Sequence, residues 1–430
     1  GASRMGEVRG PGGAEEPEEE RSHNAAIWQR GAKAIRLGRI ATTTVAQANK
    51  VGSVPEGWYC DAAMALQQHV AAEGAADRSP SAQGVERPPG LWEAPAKELF
   101  RRARQACGFA PARYYATLGA QAGQTKPTLR MLGASSASGR SGAFFFITPD
   151  QQFFIKTCTR NDWDALLRIL PHYVEHLEGA RDVNRRERRE STKAFAFDSI
   201  AASLSLSSLP SSPSGRGQTG GQLEGFVDTL LPRYLGLYQF QAGSNAKPIL
   251  VVVMTNVFAG AVSIDRRYDL KGSTCGRAAS EEERRKKTPI LKDLDWKSKE
   301  LAFELAAPAR DKLLQILKRD TDFLRQHRLI DYSLLLGITK CSGGERRPME
   351  GMLVTTVADG SRLAYIGLVD VLTPYSVKKG AETFFLGCLP CRDISCQPPA
   401  LYAERFLGFV QSHVFRTRSA ERTADARTTV

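Results

Sequence analysis

An α+β fold is predicted for this sequence on three observations. Short runs of aromatic and β-branched residues bounded by turn residues, such as "AFFFI" and "FFIKT", read as strands of a hairpin. Segments with apolar residues three and four apart, such as "DWDALLRILPHYVEHL", read as helices that lie on a sheet. With 430 residues there is ample material for a core, in two or three domains or in one large unit of two lobes.

Residues 1–92 are rich in Gly, Ala, Glu, Pro and Ser, and most of this extension is expected to be disordered. Only "WYCDAAMALQQHVAAEG" has helical spacing, with Trp58, Met64, Leu66 and Val70 as apolar positions. The first residues are polar and include "EEPEEE", so neither a signal peptide nor a myristoylation site is expected. The folded unit is predicted to begin at "LWEAPAKELFRRARQACGF", where Leu99, Phe100 and Ala103 share a helix face and Arg101, Arg102 and Arg104 stay in water. Ala143 to Ile147 and Phe153 to Ile155 form a hairpin around the turn "TPDQQ". The helix that follows packs through Leu166, Leu167 and Leu170.

Residues 179–222, first charged and then dominated by Ser, Gly and Pro, read as a low-complexity insertion and a solvated tether. After it come the strands "YLGLYQFQ" and "ILVVVMTNVF", the polar segment "SIDRRYDLKGSTCGR" and a helical "SKELAFELAAPARDKLLQILKRDTDFLRQH". The strand pair "SLLLGI" and "RLAYIGLVDVL" leads through a loop to a last amphipathic helix, "PPALYAERFLGFVQSHVF", and to a polar tail from Arg416 that is expected to be loose. The longest apolar run, "ILVVVMTNVFAGAV", is shorter than the ~20 residues of a membrane span and reads as a buried strand with its exit loop.

A formal net charge of +13 points to an anionic partner: nucleic acid, a phosphorylated substrate or an acidic membrane surface. Nucleic acid is not expected, because the basic runs "RRERR" and "RRKK" lack interleaved aromatics and no nucleic-acid-binding module is recognised. Eight cysteines are scattered without the pairing of a disulfide framework, which fits a reducing compartment. Cys388 and Cys391 form one CxxC, but no second pair completes a four-ligand zinc site.

Three features carry chemistry. The loop "SGRSG", with Gly139, Ser141 and Gly142, precedes the hairpin, and Lys156 closes its second strand. Glycines let backbone N–H groups approach an anion, so this hairpin is either a phosphate site or an ordinary hairpin with a solvated lysine. Asp331 in "LIDYSLLLGI" and Asp370 in "YIGLVDVLTPY" flank apolar strands. Carboxylates there either cap turns or hold Mg²⁺ and orient a hydroxyl. The protein-kinase signatures "HRD" and "DFG" are absent.

Taken in order, "SGRSGAFFF", "FFIKT", "YDLKGSTCGR", "LKDLDW", "IDYSLLLGI", "IGLVDVL" and "YAERF" resemble the phosphatidylinositol phosphate kinases over residues 93–415 apart from the insertion. The resemblance implies a two-lobed kinase-like fold, with an antiparallel N-terminal sheet and a mixed C-terminal one, and a flat basic face for a membrane. It implies that ATP and Mg²⁺ are used. Lys156 then contacts nucleotide phosphates beneath Gly139, Ser141 and Gly142, and Asn256, Val257 and Phe258 hold adenine with Leu335 opposite. Asp370 ligates magnesium, and Asp331 is the catalytic aspartate beside the attacking hydroxyl. Lys271, Arg277 and Lys292 surround the substrate's phosphate, whose about −1.5 to −2 charge needs more than one cation. Asp162 and Asp164 stand where the family offers a longer glutamate to pair the strand lysine.

Through "YAERF" the chain resembles the kinases that add the 5-phosphate to phosphatidylinositol 4-phosphate more than the 4-kinases of the 5-phosphate isomer, which remain an alternative together with an inactive phosphoinositide-binding scaffold. A glutamate or alanine after "VLTPYSVKK" separates the two kinase types, and strict register gives Ala381 while a one-residue gap gives Glu382. Lys378, Lys379 and Arg392 are expected to face an anionic bilayer, or else to be solvated loop residues. The implied location is cytoplasmic, peripheral on the cytosolic face of a membrane, and a homodimer is compatible with it.

Overall fold

The structure, a computed structural model, describes residues 56–78, 92–121, 124, 126–132, 144–204, 223–224, 229–240, 248–261, 263–299, 302–305, 307–340, 353–356, 362–375 and 397–417. Two six-stranded sheets organise them. The first has strand order β1 (Trp92–Glu93), β6 (Tyr234–Phe240), β7 (Ile249–Thr255), β4 (Phe153–Thr157), β3 (Phe145–Ile147), β2 (Arg130–Leu132), and every neighbouring pair is antiparallel. The second has order β5 (Leu223–Glu224), β13 (Leu353–Thr356), β14 (Arg362–Val369), β12 (Ser333–Lys340), β8 (Arg266–Leu270), β9 (Ile290–Leu291), and it is mixed because β8 and β9 run parallel. The α+β class is as the sequence led one to expect. One continuous buried apolar cluster includes side chains from both sheets.

The run "ILVVVMT" makes β7 because a strand between two partners and covered on both faces loses the polar alternation of a half-exposed strand. Helix α2 (Lys97–Ala106) packs beside this sheet, and Phe100 and Ala103 are buried as the spacing predicted. Arg104, expected in water, is buried instead. Its guanidinium donates to the Leu235 carbonyl at 2.9 Å and lies 4.5 Å from the Tyr114 ring centroid, so a carbonyl and an aromatic face replace its hydration.

Two boundaries moved outward. Helix α1 (Glu56–Arg78) falls in the extension expected to be mostly disordered, yet Leu66, Gln67, Val70 and Glu73 are buried. It docks on α3 (Pro111–Leu118). Gln67 binds Thr128, and Glu73 accepts from the Tyr238 hydroxyl at 3.2 Å. Helix α4 (Arg160–Leu204) runs past residue 179, where the tether was expected to start. Its buried stripe, Trp163, Leu166, Leu170, Tyr173, Leu177 and Ala180, keeps the spacing of a helix face to its last member. Tyr173 donates to the Pro232 carbonyl at 2.7 Å, and His176 Nε2 lies 2.8 Å from Asp320 Oδ1 on α7 (Ala307–Gln326).

The segment read as one helix from residue 298 divides. Phe303–Leu305 is strand β10, parallel to β16 (Phe415–Thr417), and α7 begins at Ala307. Phe303 and Leu305 are buried with Glu304 between them, a period of two that the long helical reading overlooked. Since β16 includes Arg416, order also reaches one step beyond the expected start of the loose tail. The last helix, α8 (Pro399–Phe409), continues into a short π-helix, Val410–Val414.

Candidate active site

The two aspartates emerge where an antiparallel ladder is interrupted. Strands β12 and β14 pair up to Ser333↔Val369, and β11 (Leu329–Ile330) pairs with β15 (Thr373–Pro374) at Ile330↔Thr373. Between the ladders lie Asp331 and Tyr332 on one chain segment and Asp370, Val371 and Leu372 on the other. Asp331 and Asp370 both take left-handed backbone angles, φ 65° and 58°. Aspartate tolerates that region better than bulkier residues do. The bend therefore sets both carboxylates at the same end of neighbouring strands.

Each carboxylate is met by a lysine. Lys156 sits on β4 between Phe145 and Val252, and alternation buries Phe153 and Ile155 on the opposite face. Its ammonium reaches across to the second sheet, 3.3 Å from Asp370 Oδ1, with the two side chains 22% and 54% exposed. Lys271 follows β8, whose Leu270 pairs with Leu334. Its ammonium donates to both the carboxylate and the carbonyl of Asp331, at 2.6 and 2.8 Å.

Neither Asp162 nor Asp164 meets Lys156. Asp162 accepts from the Thr159 N–H and hydroxyl at the start of α4, and Asp164 pairs with Arg160 at 3.0 Å. The carboxylate beside Lys156 is that of Asp370. At Cys158, two residues on, burial, with Asp162 adding to it, pushes the thiol up to about 12 and disfavours its thiolate form. Burial likewise drives the Tyr234 hydroxyl well above its ordinary value, and the charge of Asp370 adds to the effect.

The cations expected around a substrate phosphate differ in their commitments. Arg277 donates through Nε to Asp293 at 2.8 Å and through Nη2 to the carbonyl and carboxylate of Asp269 at 2.6 Å. Burial lowers its pKa, but Asp269 and Asp293 outweigh that and hold it above the ordinary arginine value. Lys292 starts α6 (Asp293–Lys297) and donates its backbone N–H to Asp295 at 3.0 Å. Gly272, at φ 69°, lets the chain pass α8: a Cβ there would lie 3.0 Å from the Phe406 Cα.

The segment after β7 is fixed by Asn256, which is buried and donates to the Gln151 carbonyl at 2.8 Å while accepting from the Phe258 N–H at 3.0 Å. Val257 and Phe258 fit into notches at Gly367 and Gly337, where an added Cβ would come within 2.9 and 2.4 Å of them. Leu335 pairs with Gly367, so the three residues lie on one face of the second sheet. Gly139, Ser141, Gly142, Lys378, Lys379, Ala381, Glu382, Cys388, Cys391 and Arg392 lie outside the described residues.

Asp269 and Asp293 were not singled out from sequence. Their signal was present in "YDLKG" and "LKDLDW", as aspartates beside the very lysines that were.

Comparison with known proteins agrees with this arrangement of motifs. The model of the phosphatidylinositol-4-phosphate 5-kinase family matches residues 126–183, 223–356 and 346–413, more than half of the chain. Similar proteins include a phosphatidylinositol 4-phosphate 5-kinase of Plasmodium falciparum (isolate 3D7), 27% identical over 354 residues, covering 74% of this chain and 18% of that protein. The type-1 beta enzyme of Gallus gallus is 27% identical, covering 68% of this chain and 54% of its own length. For the type-1 alpha enzyme of Rattus norvegicus the identity is 28%, with 74% and 56% covered. The chain thus spans about half the length of these vertebrate relatives and a smaller part of the parasite protein. It belongs to the phosphatidylinositol-4-phosphate 5-kinase family.

Proposed function

We propose that this protein transfers the γ-phosphoryl group of ATP to the 5-hydroxyl of phosphatidylinositol 4-phosphate, giving phosphatidylinositol 4,5-bisphosphate. The observation that carries the proposal is the interrupted ladder, which gathers Asp331, Asp370, Lys156 and Lys271 from both sheets. Phosphoryl transfer asks a protein mainly for positioning and for charge to balance the moving phosphate. In this reading Lys156 binds nucleotide phosphate, and Val257 and Phe258 border the adenine across from Leu335. Asp331 orients the inositol hydroxyl and accepts its proton as the hydroxyl oxygen bonds to the γ-phosphorus and ADP leaves with the electron pair of the broken bond. Lys271 and Lys292 hold the substrate's own phosphate, and Arg277 braces the loop they share.

Among the described residues no group of three or more Asp, Glu, His or Cys side chains converges. The half-exposed carboxylate of Asp370, beside a lysine, suits Mg²⁺, which keeps several waters and takes other oxygens from nucleotide phosphates. Mg²⁺ there would neutralise charge on the phosphates, and Asp370 would hold it.

The catalytic unit in this reading is residues 93–415 as two lobes, with α1 docked on it. It works on the cytosolic face of a membrane as a peripheral protein, consistent with the finding that no described helix is long and apolar enough to cross one. The test is turnover by the purified chain on vesicles carrying each phosphatidylinositol monophosphate, with positional analysis of the product. A 4,5-bisphosphate made from the 4-phosphate supports the proposal. Preference for the 5-phosphate isomer would make the chain a 4-kinase, and lipid binding without turnover a scaffold.

A further inference from the structure

We propose that Asp293 is a positioning residue for this transfer: it fixes the backbone from which Lys271 reaches Asp331. The inference rests on the reading of Lys271 and Asp331 given above. Asp293 is completely buried, so it touches neither nucleotide nor lipid and can act only through its neighbours. One carboxylate oxygen accepts the N–H groups of Lys271 and Gly272, at 2.9 and 2.8 Å, and the other accepts Arg277 Nε at 2.8 Å. Arg277 returns through its second nitrogen to Asp269, two residues before Lys271. The loop is therefore closed on itself: the chain from Asp269 to Lys271 is bridged by Asp293 and Arg277 through three charge-assisted contacts.

From the other side, α8 leaves no room, since the Phe406 Cα lies 3.0 Å from where a Gly272 Cβ would be. With its backbone held from both directions, the flexible stem of Lys271 begins at a fixed point, and less freedom is lost when its ammonium docks. That ammonium then bridges the carboxylate and carbonyl of Asp331. The clamp has to be a carboxylate, because it must accept three N–H donors and only an ionised acid is acceptor on both oxygens. An asparagine of the same shape would turn its amide donor toward either the backbone pair or Arg277.

A double-mutant cycle on kcat/KM for phosphatidylinositol 4-phosphate vesicles tests this, with Asp293→Asn, Lys271→Met and the two combined. Asp293→Asn is expected to lose about 10- to 100-fold while the KM for ATP holds, and to cost much less once Lys271 is Met, the remainder passing through Arg277. Losses that multiply in the double variant would overturn the proposal. A second arm needs no activity: the ε-amine of Lys271 is labelled with an amine-reactive ester and its rate followed by mass spectrometry. Asp293→Asn should speed labelling at Lys271 and leave Lys156 unchanged. Equal acceleration at both lysines, or none at Lys271, would overturn it. An unaltered protein inactive on every monophosphoinositide would remove the proposed function, while labelling still decides whether Asp293 holds Lys271.

Discussion

Replacing Gly337 by alanine probes the junction between the segment after β7 and the second sheet. The new Cβ would stand 2.4 Å from Phe258 Cε1 and 2.8 Å from Cδ1, whereas carbon atoms rest at about 3.5–4.0 Å. The ring must therefore slide by about 1 Å. Overpacking of this kind costs about 1–3 kcal/mol, which should appear as a fall of several degrees in Tm. If the strain is relieved by moving Phe258 away from adenine, the same energy sets an upper bound of about 5- to 150-fold on the rise in the KM for ATP. Thermal melting and ATP-dependent turnover measure the two effects. Adding Phe258→Leu should recover part of both, because a smaller side chain yields the space. Gly367→Ala should cost less, since its Cβ meets the two Val257 methyls at 2.9 and 3.2 Å, a milder overlap than at Gly337. Unchanged Tm and KM in Gly337→Ala, or strictly additive effects with Phe258→Leu, would refute the notch.

Lys156→Met should nearly abolish lipid phosphorylation with little change in Tm, because its ion pair is partly exposed and such pairs contribute about 0–1 kcal/mol; turnover at the original rate would remove Lys156 from the nucleotide site. Asp370→Asn should fail in the same assay, and rescue of full activity by excess Mg²⁺ would point to weakened metal binding alone. Deleting residues 56–78 should lower Tm clearly, since it uncovers the apolar contacts of Leu66 and Val70 and strips Glu73 from Tyr238, and an unchanged melting curve would show that α1 is dispensable. His327 is depressed by burial first and by the nearby His172, Arg168 and His176 next, so the unfolded chain takes up its proton first as pH falls. The stability tied to its neutral form is present above about pH 6.5 and lost on acidification below it, and His327→Gln should flatten the acid limb of a Tm–pH curve. Glu382→Ala should shift preference toward the 5-phosphate isomer, and an unaltered ratio of specificity constants would return the discriminating position to Ala381.

Local sequence determined most of the elements and put the charged motifs in view. The hairpin around Lys156, the strands bearing Leu335 and Gly367, and the stripe of α4 follow from periodicities of two and 3.6 residues, which neighbours on one segment impose. The motifs around Lys156, Asp331 and Asp370 were legible for the same reason: each is contiguous. Only tertiary structure decided which charges meet. Lys156 finds its carboxylate 214 residues away, not on the helix that follows it, because β4 and the end of β14 are brought together by sheets whose register no short window contains. Arg104, read as solvated by its helical phase, is buried because a carbonyl of β6 and the ring of Tyr114 arrive from elsewhere to replace water. Asp293 was not singled out within its charged motif, and its burial depends on β8, Arg277 and α6 closing together. A buried charge is tolerated only when its partners are in place, and those partners are supplied by the folded chain as a whole.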